Sequence, residues 1–253
     1  AIENARSHKE SIQRERIKQE LEIAAVLQKS FLPESPVFRR GKVTVSALTI
    51  AAENVGGDIY DFIEPVKGKI GVLVGDVSGK GISAALYMAK IISDFRFSAH
   101  HVETPDSVLN RLNTHLAKTP RGMFLTASYI IIDTATGTLD VSVAGHPPFL
   151  WLTGGEVKVM EVQSGPPLGI MPLEYPTVSF SLSRGDRLLM LTDGVFDAKN
   201  KTGERLGFNT LTNFIKNHYH DKQLVQGIVG AIDIFSKGAG RADDLTLVEL
   251  LWE

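Results

Sequence analysis

The chain has 253 residues, 43% of them hydrophobic, and a formal net charge of −2, which fits one large domain or one domain with an appendage and leaves no nucleic-acid footprint. It has no cysteine, so disulfides, thiolate catalysis and cysteine-held zinc are excluded and a reducing, cytoplasmic setting fits. No apolar run approaches about 18 residues, so no membrane span is expected in this stretch, although the full-length protein can be anchored elsewhere.

The sequence opens at Ala1, without methionine, inside a charged helical pattern, and a fragment of a longer protein is expected. Ala1 to Ser30 reads as one helix rich in Glu, Lys, Arg and Gln, ending at Leu32-Pro33. Ile17, Leu21, Ala24 and Phe31 follow coiled-coil spacing, with Gln28 interrupting it and Ile23 and Val26 starting a second apolar face. The polar N-terminal half buries little on its own globule, so residues 1–32 are expected to be a linker or dimerisation helix and residues 33–253 the main domain.

From Lys42 the period changes to that of strands. Val43, Val45 and Ala47 alternate along Lys42–Ile50, and after the Glu53–Phe62 stretch Lys69–Val74 is the next strand, continuous enough in apolar residues to be a central one. Ile82–His101 and Thr104–Lys118 read as helices, the second with Thr104 as N-cap and Pro105 at its first position. Phe124–Asp133 and Thr138–Ala144 form a hairpin, and Phe149–Leu152 with Val157–Val162 form another. Thr177–Leu182 and Asp186–Leu191 are strands joined by Ser183-Arg184-Gly185; helices follow around Phe208–His218 and Lys222–Ser236, and Leu245–Trp252 closes as a strand. Hairpin-joined strands with helices in consecutive pairs indicate an α+β fold with a largely antiparallel sheet.

The chemistry gathers around Val74-Gly75-Asp76-Val77-Ser78-Gly79-Lys80-Gly81, where an apolar strand delivers one aspartate into a glycine-rich turn. Such a turn suits a phosphate or a hard cation. A nucleotide P-loop is excluded, because Val74 stands where its first glycine belongs and Lys80 precedes Gly81 rather than Ser or Thr. Three more sites share the design of an aspartate at a strand end beside Gly or a second Asp: Asp58 after Gly56-Gly57, Asp193 before Gly194, and Asp243-Asp244 before the last strand. Central strands of one sheet would bring the ends at Asp76 and Asp193 together, and clustered carboxylates repel one another unless cations fill the space. All-oxygen ligation favours Mg²⁺ or Mn²⁺, and two such ions about 3.5–4 Å apart would activate a water for in-line attack on a phosphate ester. Taken singly, each aspartate is equally well read as turn or cap chemistry.

Rival chemistries are weak. There is no Gly-x-Ser-x-Gly elbow and no His-Glu-x-x-His. His100 and His101 end a helix. His146, in Ala144-Gly145-His146-Pro147-Pro148, reads as a structural turn residue. Ser78 has no base tied to it by spacing.

Val55-Gly56-Gly57-Asp58-Ile59-Tyr60-Asp61, Gly75–Gly81, Ala144–Pro148, Thr192-Asp193-Gly194-Val195 and Asp243-Asp244-Leu245-Thr246, taken in order, resemble the bacterial PPM-type (type 2C-like) serine/threonine phosphatases. The resemblance is to the sigma-factor-regulator branch, stage-II-sporulation-E-like and Rsb-type, and it runs from about Leu21 to Leu251. It implies a four-layer α/β/β/α sandwich with two Mn²⁺ or Mg²⁺ ions at one edge. Asp76 matches the carboxylate bridging both metals, with the Val77 carbonyl on the second. Asp193 and Asp243 match ligands of the first metal, Asp58 an acidic residue holding the second partly through water, and Asp244 is the weaker candidate of its pair. The resemblance further implies direct attack of metal-activated water on phosphoserine or phosphothreonine without a phosphoenzyme. Its usual substrate is a phosphorylated anti-sigma-factor antagonist of the STAS fold, and control usually comes from an upstream sensor or receiver domain through the linker helix. The histidine that animal-type members carry two residues after the bridging aspartate is Ser78 here, and their phosphate-binding arginine has no clear match; general acid and phosphate clamp stay unassigned.

The expected function is therefore a metal-dependent protein serine/threonine phosphatase in bacterial signal transduction, dimerising through its N-terminal helix. A non-catalytic phosphatase-like module that recruits a partner is the alternative, since fold does not fix function; a metal-dependent phosphodiesterase is a third reading.

Overall fold

The computed structural model describes residues 2–102, 104–118 and 122–253; Ala1, assigned above to the first helix, lies outside them. In chain order the elements are α1 (Ile2–Phe31), β1 (Val37–Arg40), β2 (Val43–Ile50), β3 (Asp58–Ile63), β4 (Lys69–Val77), α2 (Ile82–Ala99), α3 (Pro105–Leu116), β5 (Leu125–Asp133), β6 (Thr138–Ala144), β7 (Phe149–Thr153), β8 (Glu156–Met160), β9 (Val178–Ser181), β10 (Arg187–Leu191), α4 (Phe208–Asn217), α5 (Leu224–Phe235) and β11 (Leu245–Trp252). One sheet has the order β1-β2-β11-β10-β7-β8 and the other β3-β4-β5-β6-β9. Neighbouring strands pair antiparallel throughout.

Three apolar layers hold this together. Val72, Val74 and Ile130 of one sheet meet Val45, Leu188, Met190 and Val248 of the other. On the outer faces, Leu73 and Tyr129 pack under Ile91, Phe95 and Leu109 of α2 and α3, while Leu189, Leu191 and Leu247 pack under Leu211, Ile215 and Ile228 of α4 and α5. Successive residues of β4 and β10 thus enter different cores, which is why both strands read as unbroken apolar runs rather than alternating ones. The result is the expected α/β/β/α sandwich.

Local differences have physical causes. The segment between β9 and β10 is not a hairpin: β9 pairs with β6 and β10 with β7 and β11, so Ser183–Gly185 carries the chain from one sheet to the other. Asp186 fixes that crossing, its carboxylate accepting the Ser183 N–H (2.8 Å) and the Trp151 indole N–H (3.0 Å). Helix α2 stops at Ala99 rather than running to His101, which adopts a left-handed backbone (φ 59°) and donates its N–H to the Pro65 carbonyl. Thr104 stands at the head of α3, but its hydroxyl bonds Ser107 Oγ rather than the helix backbone.

Helix α1 divides in two. Every described side chain from His8 to Glu20 is exposed, whereas Leu21, Ala24, Ala25, Gln28 and Leu32 turn toward the body. Ile17 and Phe31, placed by their spacing on the same stripe as Leu21 and Ala24, remain exposed. Among the described residues no helix is long and apolar enough to cross a membrane.

Candidate active site

The two sheets deliver their carboxylates to one shared edge. In β3 and β4, Asp58 pairs directly opposite Asp76, and β5 sets Thr126 on the other side of Asp76. In the facing sheet, β10 leaves through Thr192 into a short 3₁₀ turn that begins at Asp193, and Asp243-Asp244 lead into β11 beside it. Asp76 and Asp193 therefore come from different sheets, not from central strands of one sheet. A strand buried on both faces has the same apolar signature in either sheet, so local pattern does not assign it; the stacking of the sandwich brings the ends together.

Close backbone approach sets the residue types around them. The Asp244 carboxylate accepts the N–H groups of Ala52 (2.8 Å) and Gly57 (2.6 Å), clamping the loop that leads into Asp58. A Cβ on Gly56 would strike that carboxylate, and one on Gly57 would come within 2.7 Å of the Val77 carbonyl and 3.0 Å of Asp76 Oδ1. Asp244 is thus spent on backbone, while Asp243 is half exposed and has the Lys80 ammonium 3.4 Å away. Lys80 also donates to the Ala242 carbonyl at 2.6 Å. The Thr192 hydroxyl donates to Asp58 Oδ2 at 2.8 Å and accepts the Thr246 N–H at 3.0 Å. Asp58 is only 7% exposed and stands behind the other carboxylates, tied across the sheets.

Burial is the first cause of the charge state here, and mutual repulsion the second. Burial, then the charges of Asp193, Asp243 and Asp244, push Asp76 up to about 7, against the pull of Lys80. Asp58 is raised well above the usual carboxylate range by burial and then by Asp76, and Asp193 is raised by burial and then by Asp243 and Asp197. An open cleft of about 310 Å³ is lined by Asp76, Thr126, His146, Pro147, Asp193 and Phe196. Among the described residues no three His, Cys, Asp or Glu side chains converge tightly enough to cage one ion as they stand. The donors nevertheless fit a hard divalent cation: they are all oxygen, Asp76 and Asp193 face an open cleft, and their repulsion is of the kind a cation relieves.

Several residues of the site carried no chemical signal in the sequence. Gln28, which only interrupted an apolar stripe, pairs its amide with both backbone groups of Gly56: Gly56 N–H donates to Oε1 at 3.0 Å and Nε2 donates to the Gly56 carbonyl at 2.5 Å. The N-terminal helix thus touches the loop that carries Asp58. Arg96 of α2 joins the same corner, donating to the buried Asp61 carboxylate (2.6 and 3.1 Å) and to the Phe31 carbonyl at the end of α1 (2.9 Å). The Ser78 hydroxyl accepts the Phe124 N–H at 2.8 Å and donates to the Gly122 carbonyl at 3.2 Å, which ties the turn after β4 to the segment entering β5.

Two stacked antiparallel sheets between helical layers, with a cluster of oxygen donors where both sheets end, define the class as that of PPM-type phosphatase domains. The chain belongs to the Stage II sporulation protein E (SpoIIE) family, whose model matches residues 67–253. It is 32% identical over 186 residues, 71% of its length, to the phosphoserine phosphatase RsbP of Bacillus subtilis (strain 168), covering 46% of that protein. Among solved structures, the SiaA-PP2C domain of Pseudomonas aeruginosa matches with a TM-score of 0.82 at 18% identity, over 95% of this chain and 99% of that one. RsbX in complex with magnesium matches with a TM-score of 0.65 at 19% identity, over 86% and 98% of the two chains. The chain spans about half the length of the curated relatives it matches, between 41% and 56% of each.

Proposed function

We propose that residues 33–253 are the catalytic domain of a metal-dependent protein serine/threonine phosphatase and that residues 1–32 are its regulatory linker. The observation that carries this is the set of carboxylates on Asp76, Asp193 and Asp243, gathered from two sheets near enough to act on one another, with Asp76 and Asp193 lining one cleft and the Lys80 ammonium 3.4 Å from Asp243. Asp76, the Val77 carbonyl, Asp193 and Asp243 would hold two Mn²⁺ or Mg²⁺ ions, with Asp58 helping to hold the second, partly through water. The bound metals supply an activated water and neutralise phosphate charge. The chain's own residues position the donors: Asp244 and Gln28 fix the Gly56-Gly57 loop, and Thr192 orients Asp58. With Ser78 committed to backbone, hydrolysis proceeds without a phosphoenzyme. The phosphoserine phosphatase relative supports the activity, and the magnesium-bound neighbour supports the metal dependence.

The substrate we infer is phosphoserine or phosphothreonine on a signalling protein, an antagonist of the STAS fold, in the cytoplasm. The exposed apolar residues Ile12, Ile17, Ile23 and Val26 of α1 favour a homodimer through that helix, driven by an upstream sensor or receiver domain. Hydrolysis of a phosphoserine peptide with and without Mn²⁺, beside the Asp193→Asn variant, tests the activity: metal-dependent turnover that the variant lacks is expected. Partner binding that persists without metal and without turnover would instead make this a recruiting module. Light scattering before and after removal of residues 1–32 tests the dimer, and an unchanged mass would end that part.

A further inference from the structure

His146 lies on the link that leaves β6 in one sheet and enters β7 in the other, so its backbone crosses between the sheets at the edge of the cleft. Its side chain is 7% exposed, yet it lines the same cleft as Asp76 and Asp193. A buried imidazole needs partners for both nitrogens. Nδ1 stands 3.1 Å from the hydroxyl of Thr126, the β5 residue paired with Asp76. The same hydroxyl lies 3.5 Å from the Asp76 carbonyl, to which it can donate; the tautomer with its proton on Nε2 is the one in which Thr126 donates to Nδ1 instead. Burial pushes the imidazole pKa down to about 3, while the Leu191 carbonyl, two residues before Asp193, favours its proton. Nε2 makes no hydrogen bond of normal geometry in the structure.

We propose that His146 is a positioning residue: a buried ring held by Thr126 beside Asp76, with its open Nε2 available to the Leu191 carbonyl two residues before Asp193, a strut that sets the gap between the two carboxylates and hence the affinity of the site for divalent cations. This rests on the two-cation reading above. It assigns the histidine no proton transfer, and it accounts for a buried nitrogen left without a partner. A residue that packs only as a turn would give no link between the two strand ends.

Calorimetry of Mn²⁺ binding to the whole chain tests this without relying on turnover. His146→Ala is expected to weaken Mn²⁺ binding by about 10–100-fold, the usual cost of losing a group that orients metal ligands. His146→Gln, which keeps a donor near the Nε2 position, should recover part of the loss. Thr126→Val should weaken binding by itself and add little on top of His146→Ala, because the two act as one unit. If His146→Ala does not fold, His146→Gln and Thr126→Val carry the test. Affinities within about twofold of wild type in the folded variants, or losses that simply add, would overturn the strut. A wild-type chain that binds no Mn²⁺ would overturn the two-cation reading and the strut with it, whereas wild-type binding matched by every variant would overturn the strut alone.

Discussion

Strands β10 and β11 carry charge at both ends, and the two ends treat it in opposite ways. At one end Arg187 and Glu249 are nearly buried and paired, and the remaining Arg187 donors reach the Tyr219 carbonyl (2.8 Å) and the Asp221 carbonyl (3.0 Å). At the other end burial and neighbouring carboxylates, Asp243 among them, raise the proton affinity of Asp193 and, in the facing sheet, of Asp76, where Lys80 opposes. The first arrangement is complete within the chain and ties the loop between α4 and α5 to the sheet. The second is left short of positive charge. Burying a carboxylate without a partner is costly, so the difference separates a structural ion pair from a site that takes its countercharge from outside.

The largest expected effect is on turnover. Asp193→Asn should reduce phosphopeptide hydrolysis by on the order of 10³-fold, comparable with losing a preorganised electrostatic group, while circular dichroism shows the fold intact; near wild-type activity would break the comparison at the cleft end. At the far end, Glu249→Ala should leave Arg187 buried and unpaired and cost about 3–5 kcal/mol in chemical denaturation. A double change of Arg187 and Glu249 to apolar residues should recover most of that, and if it does not, the pair is more than an internally balanced charge.

Gln28→Ala should cost about 1–2 kcal/mol, the worth of two hydrogen bonds to backbone, and should also shift Mn²⁺ affinity, because Gly56 leads into Asp58. Stability loss with unchanged metal binding would show that α1 merely packs there. The smallest effect is on pH dependence without metal. Asp76 titrates at about 7 in the folded chain, above the roughly 3.9 of a free aspartate, so folding takes up a proton there. That contribution is complete below about pH 4 and is lost as pH rises through about 7. The melting temperature of the metal-free protein should fall over this window, Asp76→Asn should flatten the fall, and added Mn²⁺ should offset it. A melting curve insensitive to pH in that range would place Asp76 in a more solvated setting than its burial indicates.

Much of this is legible in the sequence. The apolar runs Ile70–Val74 and Leu188–Leu191, the glycines beside Asp58, Asp76 and Asp193, and the turn at Ala135–Gly137 are local patterns, and local patterns fix element type and the residue at a strand end. The motifs in order then pointed to the sandwich, which the structure has. Short β1 carried too little pattern to stand out. β3 was hidden because Asp58 and Asp61, both buried, break its apolar alternation: one bonds Thr192 and the other Arg96.

The sequence by itself determined which side chains are present to do chemistry, that they are oxygen donors, and that strands would present them at their ends. Only the tertiary structure decided that Asp76 and Asp193 arrive from facing sheets, that Asp244 serves backbone while Asp243 faces Lys80, and that Gln28 and His146 reach the site at all. The physical reason is range. Propensity and periodicity act over a few neighbouring residues, whereas Gln28 with Gly56, Thr192 with Asp58 and His146 with Thr126 are contacts between distant segments, made only when three separate cores pack the sheets and helices together.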